Sequence, residues 1–169
     1  MVNTKSFIHG NAIIAERVGG ESFDSSWGPL ARPVAGEVWS DLVGAPAGWG
    51  KLFRGKGGNK VWFRAPIPTL TVASSSKVNL EDVFVFFSSY DTCYMEELQV
   101  WDGPQFVQEF KGLSVKGDFT RNVVSGANAF ALRRTMNWGL SLGMLINFPN
   151  DSNIAFTSAG ASFIHTIFE

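Results

Sequence analysis

Apolar and polar residues alternate without interruption near the end of the chain. The apolar positions are Trp138, Leu140, Leu142, Met144, Ile146 and Phe148. Successive side chains of a strand point to opposite faces, so this pattern predicts a long β-strand with one apolar face. The turn-forming stretch 149–153 follows, and residues 154–168 predict a return strand. We therefore expect a β-hairpin at the centre of the fold.

Other stretches predict further strands. Residues 83–87 are apolar at both alternating positions, which indicates a central strand covered on both faces. Residues 95–101 and 105–110 predict a hairpin, and a Gly-Gly pair between residues 49–55 and 60–65 predicts a second one. Residues 7–18 predict a strand broken or bulged at Gly10, and 118–124 and 130–134 predict two shorter strands.

These elements indicate the fold class. About ten strands and no convincing helix predict an all-β protein, an antiparallel two-sheet β-sandwich of jelly-roll or Greek-key type. A squat closed β-barrel is the alternative. We expect one domain over residues 1–169, with a long Gly- and Pro-rich loop at 19–48.

Composition narrows the context. A formal net charge of -1 argues against a nucleic-acid partner held through its phosphates. No stretch approaches the roughly 20 apolar residues of a membrane helix, and none near Met1 indicates a signal peptide. Cys93 is the only cysteine, which mildly favours a reducing compartment. We therefore expect a soluble, cytoplasmic protein.

Five short motifs resemble those of one protein family. They are 8–12 (IHGNA), 48–50 (GWG), 61–69 (VWFRAPIPT), 100–103 (VWDG) and 158–163 (SAGASF). The chain is similar in these to a group of small single-domain all-β proteins. That resemblance implies the fold and brings no activity with it. Where the family has a histidine after its Trp-Phe pair, this chain has Arg64.

Tryptophan is the most informative residue type for function. Six are present, and the alternation of Trp62 with Phe63 predicts that one of this pair leaves the core. An exposed indole beside polar groups can stack on the apolar face of a sugar. The alternative is a large aromatic core. The candidate ligand-binding residues are Trp27, Trp39, Trp49, Trp62, Arg64, Trp101 and Asp102.

Other candidate chemistry is weaker. His9 and His165 on the first and last strands offer too few ligands for zinc, and Cys93 has no local base to activate it. Consecutive Glu96 and Glu97 should point to opposite faces of a strand. Residues 150–153 offer oxygens for calcium but match an ordinary turn. We expect no metal and no cofactor.

Three functions stay open at this stage. The first is a module that binds a small molecule or glycan through tryptophans and the 19–48 loop. The second is a cofactor-free isomerase or cyclase with an apolar cavity capped by that loop, because such chemistry needs shape and only a few polar groups. The third is a structural or assembly subunit, which would form a homo-oligomer.

Overall fold

The protein is an all-β sandwich of two antiparallel sheets. The computed structural model describes residues 2–16, 45–69, 78–121 and 123–165, and these residues contain eleven strands. Six strands form one sheet and five form the other, and the sheets do not close into a barrel. The predicted two-sheet sandwich is confirmed. Within the described ranges, no helix has the length and apolar character needed to cross a membrane.

The six-stranded sheet is built around the last strand. Its order is β3-β4-β11-β6-β9, and β1 pairs with the half of β11 that β4 leaves free. The bounds are β1 Val2–His9, β3 Ala45–Ala47, β4 Gly50–Gly55, β6 Val78–Ser89, β9 Ala129–Met136 and β11 Ser152–His165.

The five-stranded sheet is built around the strand that precedes β11. Its order is β2-β5-β10-β7-β8, so β10 is the central strand. The bounds are β2 Ile14–Ala15, β5 Asn59–Ile67, β7 Tyr94–Asp102, β8 Gln105–Phe110 and β10 Leu140–Phe148.

Two connections that the sequence predicts as hairpins instead cross between the sheets. β10 and β11 lie in different sheets, and so do β4 and β5. Both predicted hairpins are therefore wrong, although their strands exist. The two crossing turns lie against each other, since the Gly57 amide donates to Asp151 Oδ1 at 2.8 Å and the Gly58 amide donates to the Phe148 carbonyl at 2.7 Å. The third predicted hairpin, β7–β8, is confirmed.

The first strand also divides between the sheets. A 3-10 turn over Gly10–Ala12 separates β1 in one sheet from β2 in the other. A Cβ atom on Gly10 would collide with the backbone carbonyl of Phe156, so only glycine fits at this crossing. The predicted break at Gly10 is confirmed, but it is a change of sheet and not a bulge.

Two further predictions concern loops. Among the described residues of 118–124, Asp118 forms only an isolated bridge with Ser88, so the predicted strand there is wrong. Most of the predicted 19–48 loop lies outside the described residues, and its last part contains β3.

The core lies between the sheets and is rich in aromatic rings. Phe63 of β5 contacts Phe53 at 4.8 Å and Phe156 at 5.1 Å between ring centroids. The alternating residues Leu140 to Phe148 all face this core and are buried. Trp138, which begins the pattern, instead precedes β10 and is 59% exposed.

Candidate functional site

The outer face of the five-stranded sheet gathers three of the candidate residues. Phe63 is fully buried in the core, while its neighbours Trp62 and Arg64 point outward and stay partly exposed, as the alternation predicts. Trp101 lies on the same face of β7. Across the central strand, Arg64 and Gln99 are the partners of Gly143 on either side. We call Trp62, Arg64, Gly143, Gln99 and Trp101 the outer platform.

Arg64 lies flat on the sheet because its partner in the register is a glycine. Its terminal nitrogen lies where a Cβ atom of Gly143 would stand. The guanidinium carbon is 5.4 Å from the centroid of the Trp62 ring, and Nε pairs with the Glu16 carboxylate. Glu16 is held beside it because its amide donates to the Trp62 carbonyl at 2.8 Å. Glycine inside a strand indicates a close approach to the backbone, and at Gly143 that approach is made by Arg64.

A hydrogen-bond chain fixes the other side of the platform. Trp101 Nε1 donates to Gln99 Oε1 at 3.3 Å, and Gln99 Nε2 donates to Glu109 Oε1 at 2.9 Å. The Trp101 indole also contacts the exposed Phe106 ring, with 5.2 Å between centroids. Trp62 thus contacts Arg64 and Trp101 contacts Gln99, at opposite corners of the platform.

Glu96 and Glu97 share the outer face, against the prediction. A β-bulge in β7 shifts the register between Leu145 and Ile146, and one extra residue in a bulge resets the alternation of side chains. Glu96 consequently accepts hydrogen bonds from Lys60 at 2.6 Å and from Asn147 at 2.7 Å. Burial alone would raise the pKa of Glu96, but these two bonds outweigh it and lower that pKa.

Glu97 and Glu109 form a coupled carboxyl pair. Burial, followed by the nearby Glu109 charge, raises the pKa of Glu97. The hydrogen bond from Gln99 lowers the pKa of Glu109, and Lys111 adds to this with an ion pair at 3.0 Å. The pKa values of these two neighbouring carboxyl groups are thus shifted in opposite directions.

Of the three other tryptophan candidates, the structure describes only Trp49, and it does not join the platform. Trp49 is 52% exposed in the turn between β3 and β4, in the opposite sheet, and no contact links it to the platform in the described ranges. Trp27 and Trp39 lie outside the described residues.

Asp102 faces inward, away from the platform. It is 2% exposed, its Oδ1 accepts from the Trp138 amide and its Oδ2 from the Asn137 amide, both at 2.7 Å. The Gly103 amide closes the same turn by donating to the Gly139 carbonyl at 2.7 Å. The carboxylate therefore holds the turn that leads into β10.

The remaining candidates, His9, His165 and Cys93, do not form a functional site in the structure. β1 and β11 pair, but His9 is opposite Ser158 and His165 is opposite Val2, roughly 24 Å apart along the ladder at about 3.4 Å per residue. Burial raises the pKa of Cys93, whose thiol donates to the Asn153 carbonyl at 3.0 Å. Over the described ranges, no group of three or more His, Cys, Asp or Glu residues is arranged to hold a metal ion.

The sequence interpretation missed Glu16, Gln99, Gly143 and the Glu97–Glu109 pair as members of this site. Gly143 carried a usable signal, because glycine inside a strand indicates a close approach to the backbone. The others carried none, since their partners come from other strands. No family model, curated protein or solved structure matches this chain.

Proposed function

We propose that the protein binds a carbohydrate on the outer platform. The observation that carries this proposal is the arrangement of Trp62 and Trp101, which lean from opposite corners toward a row of fixed polar groups. Indole rings stack on the apolar faces of sugars, and the polar groups between them pair with hydroxyls. Arg64 and Gln99 are held in place by partners, so little side-chain freedom is lost on binding.

The flat shape of the site favours an extended ligand over a small enclosed one. The platform spans β5, β10 and β7, three neighbouring strands of one sheet. Gly143 at its centre adds no side chain above the sheet, so the flat Arg64 side chain forms the floor on which a ligand would lie. A sugar chain, which is long and has alternating apolar and hydroxyl faces, suits such a surface.

A titration with a glycan panel, followed by tryptophan fluorescence, tests the proposal. Trp62→Ala and Trp101→Ala should each weaken binding by about 2 kcal/mol, or about 30-fold in Kd, as buried aromatic anchors do. Trp49→Ala is the matched control, because it removes an exposed indole on the other sheet and should leave binding unchanged. If neither platform variant loses affinity while both stay folded, the site is not there.

The isomerase and assembly hypotheses stay predictions. The isomerase requires the 19–48 loop as a cap, and residues 17–44 lie outside the described part of the chain. Where the structure is described, aromatic rings of Phe53, Phe63, Phe87 and Phe156 fill the space between the sheets. The platform therefore supplies the better-supported hypothesis.

A further inference from the structure

We infer that the ligand is an uncharged oligosaccharide that reaches from Trp62 to Trp101. This inference rests on the proposed function and names the class of glycan. Two independent observations support it, the pairing of the basic side chains and the spacing of the two indoles.

The described residues place three basic side chains on or beside the platform, and each already has a carboxylate partner. Arg64 pairs with Glu16, Lys60 with Glu96 at 2.6 Å, and Lys111 with Glu109 at 3.0 Å. A uronic acid or another anionic sugar would have to displace one of these carboxylates before it could use the cation.

The carboxyl groups outnumber the cations on this face. Glu97 is a fourth carboxyl group beside the three paired ones, and burial, followed by the neighbouring charge of Glu109, raises its pKa. An incoming anion therefore meets net repulsion, and like charges brought together at an interface are costly. A neutral sugar can instead form hydrogen bonds with these side chains while their ion pairs stay intact.

The spacing of the indoles sets a minimum length. Trp62 pairs with Leu145 and Trp101 with Ser141, on opposite sides of β10. Strand geometry puts these corners roughly 13 Å apart along the strands and roughly 10 Å apart across them. One pyranose ring is too short to contact both corners, so the ligand that uses both is a chain lying diagonally across Gly143.

The experiment compares neutral and acidic chains of equal length. Neutral gluco-, xylo- and manno-oligosaccharides from one to six units are titrated beside oligogalacturonides of matched length at low ionic strength. We expect affinity to rise with length until both indoles are covered, and acidic chains to bind at least 10-fold more weakly. Acidic chains that bind equally well or better overturn the inference but leave the proposed function standing. Monosaccharides that bind as tightly as hexasaccharides also overturn it, and failure of every sugar overturns the proposed function itself.

A single substitution tests the charge argument directly. Glu16→Gln releases Arg64 from its carboxylate and should raise the ratio of acidic to neutral affinity about 10-fold. The matched control is Asp151→Asn, which releases Arg54 from a 3.9 Å contact in the other sheet and should leave that ratio unchanged. A ratio that is unchanged in Glu16→Gln as well contradicts the role assigned to the ion pairs.

Discussion

The outer faces of the two sheets both carry aromatic side chains, in contrasting environments. On the six-stranded sheet, Phe84 and Phe86 are fully buried outside the main core and their rings contact each other and Phe7. On the five-stranded sheet, Trp62 and Trp101 stay partly exposed and contact polar neighbours. The first face is closed by packing, whereas the second keeps its aromatic rings accessible.

A glycine near the middle of each face shows the same contrast. A Cβ atom on Gly160 would lie 2.5 Å from both the Ser6 carbonyl oxygen and the Phe84 ring. A Cβ atom on Gly143 would meet the end of the flexible Arg64 side chain. Close packing thus fixes Gly160 through rigid neighbours, while Gly143 is needed only to keep Arg64 flat. An aromatic face can therefore serve stability or recognition, and the neighbours of its glycine distinguish the two.

The largest expected effect comes from Phe84→Ala. Removing a fully buried ring should lower the free energy of unfolding by about 3 to 5 kcal/mol. The matched control is Phe106→Ala on the opposite outer face, where the ring is 51% exposed and the loss should be about 1 kcal/mol. Urea unfolding measures both. Equal losses would remove the contrast between the two faces.

Gly160→Ala and Gly143→Ala sharpen the contrast at the backbone. The first should cost about 2 to 3 kcal/mol of stability, because the Ser6 carbonyl belongs to a paired strand and cannot withdraw. The second should leave stability nearly unchanged and weaken glycan binding, because Arg64 has to leave its position over the sheet. Thermal unfolding and the glycan titration check the pair. If Gly143→Ala unfolds the protein, the platform is part of the packing.

Asp102→Ala tests the inward-facing candidate. Its two backbone donors would lose a charged acceptor, so we expect a loss of about 2 kcal/mol. Asp102→Asn keeps one carbonyl oxygen and should recover about half of that loss. Glycan affinity should not change in the folded fraction. A variant that stays stable but no longer binds the glycan would show that Asp102 belongs to the binding site.

The smallest effects concern pH and have opposite signs at neighbouring residues. Folding raises the pKa of Glu97, so ionisation of this side chain at higher pH lowers the free energy of unfolding. Glutamine cannot ionise, so Glu97→Gln should be slightly more stable than the parent protein at pH 7. The pKa of Glu96 is lowered, so Glu96→Gln should be slightly less stable at pH 7. Each difference should stay within about 0.5 kcal/mol.

Both differences should disappear in acid. Ordinary glutamate carboxyl groups titrate near pH 4.3, and below the pKa values of both states the parent side chains are neutral like glutamine. Urea midpoints measured from pH 3 to pH 7 follow the two curves. Shifts of the same sign in both variants would contradict the opposite environments of these neighbours.

The fold was predictable where alternation decides it. Strict alternation of apolar and polar residues located β10. Apolar residues at both alternating positions identified the part of β6 that is buried on both faces. The alternation also predicted that Trp62 and Phe63 lie on opposite faces of β5. The choice of sheet was not predictable. A turn such as 149–151 suits a hairpin and a crossing equally well, and the decision depends on which distant strands supply the ladder partners.

The site was predictable only in part. Exposed tryptophan beside arginine was a usable signal for Trp62 and Arg64. The Glu16 partner lies just after β2, 48 residues before Arg64 in the sequence. The bulge that brings Glu96 and Glu97 to one face breaks the two-residue alternation, so a pattern that assumes this alternation cannot predict it. Asp102 shows the reverse error, because its polar character indicated a surface role while a tight turn used both its oxygens.

The crossing between β10 and β11 has a consequence for how the chain reaches this structure. Each of these consecutive strands is the centre of a different sheet, and their partners β1, β4, β5, β6 and β7 all come earlier in the chain. Neither sheet can assemble from local hairpins alone, because its middle strand follows the strands on both sides of it in the sequence. Contacts between such distant segments carry a large loop-closure entropy and slow the search for the native state. We therefore expect refolding in milliseconds to seconds, limited by the late insertion of two strands that complete both sheets together.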